Sequence, residues 1–205
     1  DYSSGFTFKY WISKDVIRND YHGIFYEPKV WEALKGSVLL SFLCAILAGT
    51  IGLLIGYAVS KKRKSKFANA VNGLAFFPYL LPSISLSATF MLLSMKIKWL
   101  YALPFLTCVI LGTLKYIPFA SRSSLNAMMQ LSGEIEEAAV IQNVPWWKRM
   151  IRIIFPIQKS AFLSGYLLPF TSCMRELSLF LFIGDNYMIL TKFMFLLEDT
   201  GIAAL

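Results

Sequence analysis

Long charge-free stretches alternate with short polar or basic segments along this chain. Residues 36–60 contain no charged side chain and lie between Lys35 and Lys61. About 20 consecutive apolar residues are enough for an α-helix to cross the ~30 Å hydrocarbon core of a bilayer. The pattern therefore predicts a first transmembrane helix over residues 36–60.

Three further stretches, 67–95, 99–121 and 157–184, are long and apolar enough for membrane helices, and residues 201–205 resemble the first turn of another. Hydrophobic residues make up 57% of the 205 and charged residues 16%, against about 45–50% and about 25% in soluble domains. The sequence predicts an all-α integral membrane bundle with four transmembrane helices and the start of a fifth.

The net charge of +8 is concentrated in loops, notably in the basic segment 61–66. Lysine and arginine are enriched in cytoplasmic loops, so the segment is expected inside. Residues 1–35 then form an extracytoplasmic segment, and 122–156 form a cytoplasmic loop. Because the basic residues follow membrane stretches rather than an aromatic-rich polar face, the charge indicates contact with membrane lipid and not with nucleic acid.

Several residues stand out inside the predicted membrane segments. Pro78 and Pro82 should kink or break the second helix at mid-membrane, either as a structural bend or as part of a transport pathway. Lys115 is expected near a helix end, with its ammonium reaching the interface. Arg175 and Glu176 are adjacent, about 100° apart on a helix, and one or both are expected to meet a neighbouring helix, as a structural ion pair or as part of a pathway or gate.

Small residues and isolated polar residues carry less information. Gly49, Gly52 and Gly56 permit close helix approach, but are also ordinary in membrane helices. The lone His22 has no companion at ligand spacing, and the three cysteines lie singly in apolar runs. No nucleophile–base set, catalytic carboxylate pair or metal-ligand cluster is visible, so we predict no catalytic residue, no metal site and no enzyme activity.

The loop after residue 121 is too structured for a simple connector. We predict a short helix over 133–142, with Asn143 in the left-handed position that ends it. Pro145 suits the first position of a second, basic helix over 146–155, and Pro156 should end that helix. The result is a helical hairpin on the cytoplasmic side.

Two roles for this hairpin follow from its charges. The basic second helix, with Lys148 and Arg149, could lie in the lipid headgroup layer. The acidic first helix, with Glu134 and Glu137, would be repelled by anionic lipid. Docking on a cytoplasmic protein partner is therefore the favoured role.

The hairpin resembles the EAA loop of binding-protein-dependent ABC importer permeases. That pattern is E-A-A, three residues, Gly, nine residues, Ile, one residue, Leu, Pro. The matching residues here are Glu137, Ala138, Ala139, Ile153 and Pro156, while Asn143 replaces the glycine and Phe155 the leucine. The similarity extends from about Trp31 to Leu205, and its spacing within a loop between membrane helices makes it specific.

The resemblance implies a permease subunit in a bacterial inner membrane. Its partners would be a cytoplasmic ABC ATPase dimer, an extracytoplasmic solute-binding protein and a second permease half or subunit. The hairpin residues from Glu137 to Pro156 would couple to the ATPase. No cofactor is expected on this chain, because it lacks a P-loop and ATP would act on the partner.

The stretch Arg175-Glu176-Leu177-Ser178 resembles one that is typical of the ferric-iron subfamily. It implies ferric iron as cargo and suggests that the chain is one half of a longer permease, often fused in that subfamily. Polyamine, thiamine, phosphonate and sulfate permeases share the hairpin and stay open as alternatives. An ion-coupled secondary transporter is the alternative of another class, although only Glu176 offers it an intramembrane carboxylate.

Overall fold

The computed structural model describes residues 8–14, 23–62, 65–184 and 189–199, and all regular secondary structure within those ranges is helical. Residues 201–205, where a final helix was expected to begin, and His22 lie outside the described residues. The helices are α1 (Lys9–Ile12), α2 (Pro28–Lys61), α3 (Lys66–Leu80), α4 (Ser83–Lys96), α5 (Lys98–Ala102), α6 (Pro104–Gln130), α7 (Gly133–Ile141), α8 (Trp146–Arg149), α9 (Phe155–Ile157), α10 (Lys159–Met174) and α11 (Leu190–Asp199).

The centre of the bundle is the pair α2 and α6, the most extensive helix contact in the fold. Small residues bring the two helices together. A Cβ added to Gly52 would clash with Ala120 and would lie 2.7 Å from the backbone nitrogen of Ser121. A Cβ on Gly56 would lie 2.6 Å from that of Ser124. Gly52 and Gly56 therefore allow α2 and α6 to approach closely. Of the two roles that the sequence left open for these glycines, this is the one that the structure supports.

The face of α2 that points away from the bundle carries large apolar side chains. Phe42, Leu39 and Ile46 are exposed, whereas Ser41 and Cys44 on the opposite face are buried. A helix with small residues inward and large apolar residues outward is typical of membrane proteins, where lipid covers the outer side chains. The fold thus belongs to an all-helical membrane protein.

The second predicted helix is broken, as its prolines indicated. α3 ends at Leu80 and α4 begins at Ser83, and the two axes meet at 96°. Leu81 is extended, with φ −79° and ψ 136°, because the residue before a proline disfavours the helical region. Pro82 has no amide hydrogen to continue the helix, whereas Pro78 is tolerated within α3.

The ends of two long helices differ from the predicted bounds. α2 begins at Pro28 rather than at residue 36, because Pro28 suits a first helical position and the Glu27 carboxylate accepts from the Lys29 amide. α6 begins at Pro104 and continues to Gln130, so the interval 99–121 was wrong at both ends. The first nine residues assigned to the cytoplasmic loop, 122–130, therefore extend α6.

The fourth predicted segment, 157–184, is also shorter than expected. α10 ends at Met174, and the chain then turns so that Leu179 and Phe180 enter the core. Within the described residues, α2 and α6 are each long and apolar enough to span a membrane, and the bent α3–α4 pair makes a third span if counted as one.

Candidate functional sites

The first helix of the hairpin, α7, contacts the C-terminal end of α2 through Glu136. Its side chain is only 8% exposed and accepts a 2.6 Å hydrogen bond from the Tyr57 hydroxyl. The Lys61 ammonium lies 2.5 Å from the other carboxylate oxygen. Burial opposes ionisation of Glu136, but the Lys61 and Tyr57 contacts outweigh it and lower its pKa below the ordinary 4.5.

The second half of the hairpin packs against the bundle through apolar contacts. The Trp146 ring packs edge-on against Tyr57, with centroids 5.8 Å apart. Met150 and Ile154 are buried in a cluster with Phe162 of α10 and Ala127 of α6. The hairpin therefore contacts three of the bundle helices, α2, α6 and α10.

The opposite face of the hairpin is exposed and largely apolar. Ile141 is 81% exposed, Trp147 67% and Ile151 64%. Glu137 also lies on this face, exposed, and its carboxylate has no hydrogen bond or ion pair within the described part of the chain. Exposed apolar patches of this kind mark sites of interaction with a protein or with a membrane. We call Glu137, Ile141, Trp147 and Ile151 the docking face.

The turn between the two hairpin helices confirms the prediction for Asn143. It has φ 57°, the left-handed conformation, and it is the only non-glycine residue with positive φ among the described residues. The Val144 amide donates to the Ala139 carbonyl at 3.0 Å, which closes the end of α7. Asparagine therefore adopts the left-handed conformation at the position where the family pattern has glycine.

Pro156 does not end the second helix, contrary to the prediction. The segment Met150–Ile154 is a π-helical turn, and the Phe155 amide donates to the carbonyl of Met150, five residues earlier. The chain then continues through α9, with Pro156 in its first turn, to α10. Because proline lacks an amide hydrogen and crowds the preceding turn, the widened π turn accommodates it without breaking the chain direction.

A second site lies at the break between α3 and α4, and it is open to the protein surface. A cavity of about 610 Å³ is bounded there by residues from α6, α10 and both sides of the break. We call it the break cavity. Its polar lining includes the side chains Ser83, Lys115, Tyr116, Arg175 and Glu176.

Charge in the break cavity is distributed unevenly. Glu176 is half-buried and accepts a 2.7 Å hydrogen bond from the Tyr116 hydroxyl. Arg175 is exposed to the cavity and, within the described residues, has no side-chain hydrogen bond or ion pair. The two were predicted to lie on one helix, but α10 ends at Met174, so they follow its last turn instead.

Lys115 is placed differently from the prediction. Only 7% of the residue is exposed, and its ammonium lies 2.5 Å from the Leu81 carbonyl and 3.4 Å from the Pro78 carbonyl. The expected interfacial position was wrong. The break in α3 frees these carbonyls from helical hydrogen bonding, and a buried cation from α6 binds them instead.

The structure thus brings three predicted gate residues, Pro82, Arg175 and Glu176, to one cavity, and Pro78 contributes its carbonyl to the Lys115 contact. Sequence reasoning missed Glu136 and the burial of Lys115. The sequence feature that could have indicated a partner for Glu136 was the spacing of Tyr57 and Lys61, which lie four residues apart on one face of α2.

The lowered pKa of Glu136 makes a pH-dependent prediction. Since its pKa is below the unfolded value, ionised Glu136 stabilises the fold above that value, and the stabilisation disappears as pH falls through the lowered pKa. We expect Glu136→Gln to lower the melting temperature at neutral pH, and the difference from wild type to shrink as the pH falls below 4.5 and through the lowered pKa of Glu136. Thermal unfolding in detergent across this range tests it, and a difference independent of pH would contradict it.

The fold and the two sites together indicate the class of protein. It is a helical membrane protein with a polar cavity between its helices and a helical hairpin packed against one end of the bundle. Residues 48–201 match the family described as binding-protein-dependent transport system inner membrane component. The match covers most of the chain, which therefore belongs to this family of ABC importer permeases.

Individual relatives agree with that assignment. The chain is 25% identical over 188 residues to the sulfate transport system permease protein CysT of Escherichia coli, covering 87% of this chain and 64% of that protein. It is also 25% identical to the spermidine/putrescine permease protein PotC of Haemophilus influenzae, with 90% and 71% covered. A permease protein of the same organism named for ferric transport, FbpB 1, is 22% identical over 75% of this chain and 24% of its own length.

The chain spans 64% of the length of the sulfate permease protein that it matches. All three relatives are named as permease proteins of transport systems, which are transport components and not enzymes. Their names differ in cargo, so family membership leaves the solute open.

Proposed function

We propose that the chain is the membrane-spanning permease part of an ATP-driven solute importer. An external binding protein delivers the solute, a separate ABC ATPase dimer binds on the cytoplasmic side, and a second permease half completes the pathway. The proposal rests mainly on the contacts of the hairpin. One side of the hairpin contacts the bundle through Glu136, and the other side exposes the docking face.

The two sides of the hairpin give it a mechanical role. A rigid element that binds a moving partner on one face transmits the movement through its other face. Here the inner contacts reach α2 through Tyr57 and Lys61, and reach α6 and α10 through Met150. Closure of the ATPase dimer would therefore move the helices that bound the break cavity and open it to alternate sides of the membrane.

The same contacts support one membrane orientation. Lys61 belongs to the basic segment that the charge distribution assigns to the cytoplasm, and its ion pair with Glu136 holds the hairpin at that end of α2. This supports a cytoplasmic hairpin, and an N-terminal segment on the outer side.

The docking face gives a direct test. We expect Glu137→Arg and Ile141→Asp each to reduce co-purification of the ATPase subunit with the complete permease by about ten-fold or more, with solute uptake lost in parallel. Both side chains are exposed, so neither change should disturb the bundle. The matched control is Glu32→Arg, the same charge reversal at an exposed position near the opposite end of α2.

Equal retention of the ATPase by wild type, control and both variants would show that the exposed hairpin face does not dock the partner. Orthovanadate-sensitive uptake would support the ATP-driven class. Uptake that only an uncoupler abolishes would favour the ion-coupled secondary transporter.

The cargo that the sequence resemblance proposes is ferric iron, on the basis of Arg175-Glu176-Leu177-Ser178 and of a relative named for ferric transport. The names of the other relatives include sulfate and spermidine/putrescine. The test is cell-associated iron in a strain that lacks the complete gene, with and without complementation by wild type or by Glu137→Arg.

A further inference from the structure

The chemistry of the break cavity points to a particular class of solute. We propose that it accepts a tetrahedral oxyanion, of the sulfate or phosphate type, during transport. This inference rests on the proposed importer function, and it assigns a different cargo from the ferric iron that the resemblance implies.

The first argument is the charge of the lining. Lys115 and Arg175 each bring one positive charge, and Glu176 brings one negative charge. Two positive charges against one negative charge leave the cavity lining with an excess of positive charge. Such an excess attracts anions and repels metal cations and polyammonium ions.

The second argument is that the three charged side chains of the cavity differ in the hydrogen-bond partners they already have. The Lys115 ammonium is bound by backbone carbonyls, and the Glu176 carboxylate accepts from Tyr116. The Arg175 guanidinium has no such partner among the described residues, so its donors are available to a ligand. Guanidinium presents two parallel N–H groups that match two oxygens of a sulfate or phosphate.

The third argument comes from the break itself. α4 begins at Ser83 on the cavity wall, and its cap residue, Pro82, makes no side-chain capping hydrogen bond. The first amides of α4 therefore add to the positive field on the side of the cavity formed by the break. The Ser83 hydroxyl, which also lines the cavity, can donate to the same oxyanion.

The test is uptake by the complete transporter, permease with its ATPase and binding protein, in proteoliposomes. The probes are ³⁵S-sulfate, ³²P-phosphate, ⁵⁵Fe(III) and radiolabelled spermidine. We expect ATP-dependent accumulation of sulfate or phosphate, with the two labels deciding between them, and a fall of about ten-fold or more in Arg175→Gln. Arg175→Lys keeps the positive charge but lacks the two parallel N–H groups of guanidinium, so this variant should retain part of the uptake.

The matched control is Arg122→Gln. Arg122 lines a neighbouring cavity, where its guanidinium lies 5.1 Å from the centre of the Phe76 ring, and it is absent from the break cavity lining. We expect oxyanion uptake in this variant to stay within about two-fold of wild type. A rise in the KM for the oxyanion in Arg175→Gln, without a change in ATPase binding, separates ligand recognition from a structural defect.

Accumulation of iron or spermidine with no oxyanion uptake would overturn the inference while leaving the importer function intact. Equal loss in Arg175→Gln and Arg122→Gln would also overturn it. If no labelled solute accumulates and the binding protein fails to stimulate ATP hydrolysis, both the inference and the proposed function fail.

Discussion

Gly52→Ala should destabilise the bundle, because the added methyl group has no room between α2 and α6. The new Cβ would clash with Ala120 and lie 2.7 Å from the Ser121 backbone nitrogen. Backbone atoms of α6 cannot rotate away as a side-chain tip can, so α2 and α6 must separate. Overpacking of this kind costs on the order of 1–3 kcal/mol, which is a large part of a typical net stability.

The matched control, Gly73→Ala, should not lower the stability. Gly73 lies within α3, and a Cβ added there would meet no atom within 4 Å. Because alanine is the better helix former by about 0.5–1 kcal/mol, Gly73→Ala should be neutral or slightly stabilising. Thermal unfolding and detergent size-exclusion profiles of the complete permease measure both. Similar melting temperatures for the two variants would show that α2 and α6 are not held by this contact.

The sequence allowed prediction of those features that depend on neighbouring residues alone. The break at Pro82 follows from the missing amide hydrogen and from the restriction on Leu81. The turn at Asn143 follows from the tolerance of asparagine for the left-handed region. The all-helical membrane architecture follows from the length and apolarity of the stretches, as in α2 and α6.

Features that depend on residues far apart in the chain were missed. Glu136 and Glu137 are neighbours on a nine-residue helix, and nothing local shows which one faces Tyr57, 79 positions earlier. Lys115 is buried because a break 34 residues earlier exposes the Leu81 carbonyl. No proline or glycine marks the end of α10 at Met174, where tertiary packing of the following turns replaces the expected helix.

The burial of Glu136 suggests that it, rather than Glu137, transmits movement from the hairpin to the membrane helices. Its hydrogen bond from Tyr57 involves a charged acceptor and contributes on the order of 1.5–3 kcal/mol. The Lys61 ion pair adds about 1 kcal/mol or less, since the lysine side chain is 44% exposed. Without them, α7 is left with the burial of Ala139, the covalent link and the apolar contacts of the second hairpin helix.

We therefore expect Glu136→Ala to uncouple the transporter. The docking face is unchanged, so the ATPase should still bind and hydrolyse ATP, while solute transported per ATP falls by about ten-fold or more. Glu134→Ala is the matched control, because Glu134 is an exposed carboxylate on the same helix with no partner among the described residues. The measurement is paired ATP hydrolysis and solute uptake in proteoliposomes that contain the complete transporter.

A charge exchange distinguishes coupling from simple loss of fold. Glu136→Lys combined with Lys61→Glu restores the opposite charges at the same two positions, and should recover part of the transport lost in either single variant. Exchange cannot recreate the hydrogen bond between Tyr57 and a carboxylate on α7, so recovery should be incomplete. If Glu136→Ala and Glu134→Ala keep the same transport per ATP, movement reaches the helices through Trp146, Met150 and Ile154 instead, and the Glu136 contacts serve stability alone.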